Sequence, residues 1–270
     1  MLRRAPRIDR MDTSPDIGTL LRDWRQRRRR SQLDLALDAE ISTRHLSFVE
    51  TGRSAPSRAM LLRLAEVLEI PLRERNALLL AGGFAPAYPT RAVTDTALSS
   101  ALGMVKALLK AHQPYPALAI DRYWTLLAAN DAVNPLLAGA ATFLLEPPVN
   151  VLRLSLHPEG LAPRIVNLEQ WRTHLLDRLR RRCETTADAE LAKLLVELEN
   201  YPFRATGNKL SSSELAVPLR LSTARGELRF LSTTMVFGTP LDVTLSELAI
   251  ETFLPADEAT AGLLGAKGGA

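Results

Sequence analysis

The sequence predicts an α+β chain in two parts: an all-α first third of five short helices, then an α+β domain built on an antiparallel sheet of about five strands. Three observations carry that reading. Between Leu20 and Leu79, apolar residues recur at three- and four-residue spacing, in segments separated by turns of a few residues. From Ala117 onward, short runs alternate with the period of two that half-buried strands show. The charge is also divided: residues 1–91 carry 17 Lys/Arg against 11 Asp/Glu, and residues 92–270 carry 17 against 19, within a net +4. A basic first third on a near-neutral remainder is the electrostatic footprint of a nucleic-acid module joined to something else.

Composition sets the outer bounds. A length of 270 residues suits one large domain or two ordinary ones, and 46% apolar residues let each half bury a core. There is no run of 18 apolar residues, so no membrane span is expected. The opening MLRRAPRIDRMD has no apolar core of the kind a secretion signal needs. The one cysteine, Cys183, excludes an internal disulfide and a thiolate cage for zinc. A cytoplasmic protein is the expectation. His45, His112, His157 and His174 lack metal-ligand spacing, and no nucleophile, phosphate-loop or metalloprotease motif occurs. The chain is therefore expected to be no enzyme and to hold no metal and no cofactor.

Element by element, residues 1–15 read as a basic arm and 16–83 as the helical domain. In the first helix Leu20, Leu21 and Trp24 share a face, with Asp16 or Thr19 available to cap it. Ser31 and Asp34 have the spacing of a capping box and open the second. Ser42 opens the third, which carries Leu46 and Val49 and stops at Gly52. Pro56 and Ser57 lead into a fourth with Leu61, Leu64 and Leu68, and Pro71 opens a fifth with Leu72, Leu78 and Leu79. Residues 84–97, rich in Pro and Gly around the boundary, read as a linker. In 98–265 the spacing predicts a helix over Leu98–Lys110 and a hairpin of Ala117–Ile120 with Thr125–Ala129. Helices follow from Asn130 to Leu137, behind Asn150, over Leu168–Arg182 and over Ala187–Leu198. Strands are expected at Glu214–Leu221, Leu228–Val236 and Leu248–Phe253, and a last helix at Asp257–Leu264. Residues 266–270 read as a disordered tail.

Two helices joined by a three- or four-residue turn form a helix-turn-helix, whose second helix enters a major groove while the first crosses the phosphates. Ala36 and Ala39 are small enough for a close crossing, and Ile41 can plug the turn. Ser42 caps the reading helix, so Thr43, Arg44 and His45 lie on its first turn, and Ser47 and Phe48 follow on the outer side. Phe48 reads equally as a base-facing residue or as core. Arg27–Arg30 wrap around a helix end, so at most two of them can face DNA together.

The stretch SQLDLALDAEISTRHLSFVETGRSAPS resembles the helix-turn-helix domain of the Xre family and the lambda-repressor-like group, over about 60 residues. The resemblance implies that Gln32 contacts phosphate and helps orient the reading helix. It also makes Thr43, Arg44 and Phe48 face bases and Arg53 touch a phosphate. Arg25 and Glu50 fall where that family has a buried ion pair between its first and third helices. Glu40 departs from the pattern, because the family's turn ordinarily has glycine there. If the backbone is left-handed at that point, the side chain costs on the order of 1 kcal/mol.

The second half is similar to the MmyB-like ligand-binding domain, a PAS-like fold, on ALAIDRYWTLLAANDAV, NVLRLSLHPEG and ELAVPLRLSTARGELRFLSTTMVFGTPLDVTLSELAIETFLPAD. The resemblance implies a sheet wrapped around an apolar cavity for a small lipophilic ligand such as a fatty acid. Trp124, Leu126 and Phe237 are candidates to line it, or else ordinary core. Asn130, which could cap the helix that it opens, is a further ligand-binding candidate. Arg153 or His157 would meet a carboxylate, with an ion-paired structural role for Arg153 equally open. The expected partners are double-stranded DNA with a pseudo-palindromic operator, a small lipophilic ligand and a second copy of the chain. The chain then reads as a transcriptional regulator, a repressor whose operator binding the ligand modulates. The alternative is a constitutive DNA-binding protein whose second half only dimerises.

Overall fold

The computed structural model describes residues 16–92, 95–203 and 216–265. The expected basic arm, the start of the strand expected at Glu214 and the expected tail lie outside them. The chain separates into two units, one up to Tyr88 and the other from Pro89.

The first unit contains α1 (Ile17–Arg27), α2 (Gln32–Asp38), α3 (Thr43–Glu50), α4 (Arg58–Val67) and α5 (Leu72–Ala81). Four of the five starts are capped by a side chain. Ser31 and Asp34 form the full capping box, while Ser42 and Ser57 accept the backbone N–H groups of His45 and Met60. Asp16 does the same for Thr19 at 3.4 Å. The core is Leu21, Trp24, Leu35, Leu46, Leu61, Leu64, Leu78 and their neighbours, with Ala36 and Ala39 buried at the crossings as expected.

All five helices end alike. The residue after the cap is left-handed: Arg29 (φ 53°), Glu40 (53°), Gly52 (70°), Glu69 (48°) and Gly83 (79°). Two reversed bonds close each turn; behind α2 the Glu40 N–H meets the Leu37 carbonyl at 3.1 Å and the Ile41 N–H meets the Ala36 carbonyl at 2.9 Å. Only two of the five positions hold glycine, so about 1 kcal/mol of strain is retained at each of the others.

The second unit opens with a 3₁₀ turn (Thr96–Leu98) and α6 (Ser99–Ala111). The hairpin β1 (Ala117–Ile120) and β2 (Leu126–Ala129) follows, then a 3₁₀ segment Asp131–Leu137 and α7 (Val151–Leu156). Next come α8 (Leu168–Thr186), α9 (Ala189–Glu199), β3 (Leu219–Thr223), β4 (Gly226–Val236), α10 (Val243–Ser246), β5 (Ala249–Pro255) and α11 (Glu258–Gly265). The five strands form one antiparallel sheet in the order β2-β1-β5-β4-β3. The expected α+β class and its five strands are what forms.

Alternation divides the sheet between two cores. Ile120, Leu219, Leu221, Leu228 and Phe230 pack against Trp171, Leu175 and Leu179 of α8 and Leu191, Leu194 and Leu198 of α9. Ala117, Ala119 and Ile250 point the other way, onto Val105 and Leu109 of α6. Where the β5 ladder ends, α11 takes over. The Ala256 N–H still reaches the Arg229 carbonyl, and the fully buried Thr260 hydroxyl accepts the Arg229 N–H at 3.0 Å.

Two expectations change. The segment behind Asn130 is a 3₁₀ helix, and the Asn130 side chain does not cap it. The linker expected at 84–97 is tied down at both ends. Asn76 bonds the backbone of Ala87 and Tyr88, so that stretch belongs to the first unit. The Pro89 carbonyl accepts the Val243 N–H, and Arg91 pairs with Asp242 at 2.6 Å in the second.

Candidate functional site

Helix α3 is anchored by Leu46, Val49 and Glu50, all buried. That leaves Arg44 exposed and Thr43, His45, Ser47 and Phe48 half-buried on its other side, with Ser42 and Arg53 exposed at either end. The Phe48 ring lies outside the core cluster and is flanked by cations, with the Arg44 guanidinium 5.3 Å and the Arg53 guanidinium 6.0 Å from its centroid. Such contacts contribute roughly 0.5–1 kcal/mol each at exposed sites and restrict where both arginines point. The left-handed Gly52 turns the chain so that Arg53 lies back along the helix, its N–H on the Phe48 carbonyl at 2.8 Å.

The end of α3 is pinned by a buried carboxylate. Glu50 accepts Arg25 Nε at 2.7 Å, Arg25 Nη2 at 2.9 Å and Gln32 Nε2 at 2.8 Å. Arg22 bonds the Glu50 carbonyl at 2.9 Å. Burial opposes ionisation, yet the bonds from Arg25 and Gln32 outweigh it and hold the Glu50 carboxyl below its ordinary value. The ion pair between the first and third helices is therefore present. Gln32, expected on phosphate, has its amide nitrogen on Glu50 and so joins α2 to the end of α3.

Gly18 was not singled out by sequence. A Cβ there would sit 2.6 Å from the Val49 carbonyl oxygen, so α1 can approach the end of α3 only with glycine at this position. The arginine run is largely scaffold. Arg28 donates to the Leu68 and Glu69 carbonyls at the end of α4 and lies over the Trp24 ring, while Arg30 pairs with Asp38. Arg28 and Arg30 are thus bonded within the first unit. Arg27 and Arg29 are the exposed members.

In the second unit the six ligand candidates do not converge. Asn130 is buried with both ends of its amide used: Nδ2 donates to the Leu109 and Tyr115 carbonyls at 3.0 and 2.8 Å, and Oδ1 accepts the Ala117 N–H at 3.1 Å. It joins the end of α6 to β1 and has no free group for a ligand. Arg153 makes a two-bond pair with Glu197, both bonds 2.7 Å, and Tyr201 donates to the same carboxylate. The ion-paired alternative for Arg153 is the arrangement found. The Arg153 bonds hold Glu197 below its ordinary value, and burial next to that carboxylate pushes the Tyr201 hydroxyl up. His157 stands edge-on to Phe143 and Tyr201 beside that pair. Leu126 is half-buried on β2, and Phe237 packs on the α6 side of the sheet. Trp124 lies in the β1–β2 turn at φ 60°, against the α8 core.

None of the six lines a cavity of about 1050 Å³ in this unit. Its apolar walls include Pro114, Pro135, Leu136, Leu228, Leu263 and Leu264, and exposed Arg225 is among its lining residues. Arg164 ties three walls together through the carbonyls of Leu136 (2.9 Å), Ala138 (2.5 Å) and Ser222 (3.3 Å). A volume at the upper end of ordinary small-molecule sites, with apolar walls and few charges, suits an apolar ligand. Among the described residues no group of His, Cys, Asp and Glu could hold a metal ion, and no helix is long and apolar enough to cross a membrane.

Comparison with known families agrees with both halves. The helix-turn-helix family model matches residues 21–75, and the model described as the MmyB-like transcription regulator ligand binding domain matches residues 104–266. No curated protein matches the chain. The second match covers more than half of the 270 residues, and the chain accordingly belongs to the MmyB-like transcription regulators, with a helix-turn-helix unit for DNA ahead of a ligand-binding domain.

Proposed function

We propose that the protein is a sequence-specific repressor in the cytoplasm that binds a pseudo-palindromic operator as a homodimer, and that a small lipophilic ligand of the fatty-acid kind modulates this binding. The observation that carries the reading is the outer side of α3, where Phe48 is flanked by Arg44 and Arg53 while Leu46, Val49 and Glu50 anchor the helix from behind. In this reading Arg44 meets guanine O6 and N7, Thr43 and Phe48 meet thymine methyls, and Arg53 meets phosphate. Ser42, His45 and Ser47 complete the face that meets DNA, and Gln32 orients it from α2. A reading helix this short covers only a few base pairs. Two copies on half-sites about 34 Å apart supply the affinity.

The apolar cavity next to Arg225 supports the ligand reading, and the strand order β2-β1-β5-β4-β3 supports a PAS-like sensor. A ligand can act only through different affinity for the DNA-competent and DNA-incompetent arrangements. The test pairs operator selection from random duplexes with thermal denaturation in a series of fatty acids. Expected are a two-fold symmetric consensus and a stabilisation that saturates with acyl-chain concentration. A second unit that gains no stability from any chain length would leave a constitutive dimeric DNA-binding protein.

A further inference from the structure

A second depression in the ligand-binding unit shares no lining residue with the apolar cavity and has different chemistry. It measures about 400 Å³. Ile120, Trp124 and Leu248 give it an apolar wall. Arg178, Arg181 and Arg182 come from one face of α8, three and four residues apart, and Arg122 comes from the β1–β2 turn.

Four guanidiniums stand against the carboxylates of Asp121, Glu247 and Glu251. Each carboxylate is already engaged. Glu251, almost fully buried, takes Arg178 through two bonds of 2.6 and 3.3 Å. Glu247 takes Arg122 at 3.0 Å, and Arg122 also pairs with Asp188. Asp121 turns onto the N–H groups of Tyr123 and Thr125, both at 2.8 Å. Arg181 is exposed, and its guanidinium makes no hydrogen bond or ion pair among the described residues.

The indole beside these cations is held at a cost. Trp124 occupies the left-handed region at φ 60°, where a bulky side chain is an outlier. Glycine would relax the turn but remove the surface that the indole provides to the core and to the cleft.

We propose that this cleft binds a small organic carboxylate with a flat apolar body, the body against Trp124 and the carboxylate on Arg181, with Arg178 fixed beside it by Glu251. The unbonded Arg181 guanidinium matches a monoanion, and the apolar wall favours a ring over an inorganic ion. The site is separate from the acyl-chain cavity.

The experiment is isothermal titration of the full chain with benzoate, acetate and benzamide, repeated on Arg181→Gln and Arg181→Lys. Arg181 is exposed and makes no bond to the fold, so both variants should fold. Benzoate should bind saturably. Acetate, lacking the body, and benzamide, lacking the charge, should each bind at least about tenfold more weakly, which is 1.4 kcal/mol. Arg181→Gln should weaken benzoate about tenfold and Arg181→Lys less. Laurate should leave benzoate bound. No benzoate binding, undiminished binding in Arg181→Gln, equal binding of benzamide, or displacement by laurate would each overturn the proposal.

Discussion

Replacing Arg25 with Met tests how α3 is held. The side chain is nearly buried, 12% exposed, and its partner Glu50 is fully buried. The change removes two bonds to the Glu50 carboxylate and one to the Arg30 carbonyl, all between 2.7 and 2.9 Å. Glu50 keeps Gln32 at 2.8 Å and sees Arg22 only at 3.8 Å. Breaking a buried pair by removing one partner costs about 3–5 kcal/mol, and the surviving Gln32 bond puts Arg25→Met near 3 kcal/mol. That is roughly a hundredfold in the population of the unfolded unit. Amide hydrogen exchange on α1 and α3 peptides of the full chain reads this free energy directly. Glu50→Leu alone should cost a similar amount. The double replacement should cost well below the sum, because no charge is left stranded. The pH dependence has a definite sign. The folded Glu50 carboxyl is lowered, so its contribution is complete above the unfolded value near 4.3 and is lost as pH falls through the folded value. Glu50→Gln should flatten that acid limb. If Arg25→Met changed exchange by under about 0.5 kcal/mol, as an ordinary surface substitution does, the pinning argument would be wrong.

Five other perturbations have expected outcomes. Glu40→Gly should stabilise the first unit by about 1 kcal/mol in the same exchange assay, since φ is 53° there and the ion pair lost with Arg63 is exposed. Gly18→Ala should destabilise it by roughly 1–3 kcal/mol, because the new methyl meets the Val49 and Glu50 backbone at 2.6–2.9 Å. Asn130→Ala should cost about 3 kcal/mol in the second unit by thermal denaturation, having stranded one buried N–H and two carbonyls. In competition binding, Arg44→Ala should lose roughly 1–3 kcal/mol of preference for operator over random duplex, whereas Arg53→Ala should weaken both alike and reduce the salt slope by about one. Equal losses on both DNAs for Arg44→Ala would refute its role as a base reader.

The residues whose roles were legible without the family resemblance act through near neighbours. Ser31, Ser42 and Ser57 cap helices three residues away, so their signals are complete within one turn. Glu40 was legible only through the family resemblance, as a turn position where that family ordinarily has glycine. Asn130 was misread because its local context, an asparagine before an apolar run, is that of a cap. What decides its role is the meeting of Leu109, Tyr115 and Ala117, which only the folded chain brings together. Arg153 finds Glu197 forty-four residues away, and nothing near Arg153 announces it. Gly18 looks like any helix residue until the carbonyls at the end of α3 arrive. The apolar cavity is assembled from five separated stretches, none of them distinctive alone.

The way Arg28 and Arg30 are employed inside the first unit bears on how tightly the protein clings to DNA of any sequence. A polyanion is gripped by exchanging its condensed cations for protein charges, each neutralised phosphate adding about 0.9 to the salt exponent. An arginine already spent on the Leu68 and Glu69 carbonyls, or on Asp38, releases few of those cations. Four consecutive guanidiniums thus behave as about two toward a duplex, and indiscriminate sticking to the chromosome is held down. A regulator searching for one site among millions leaves decoy sequences sooner when its basic stretch is spent on its own architecture.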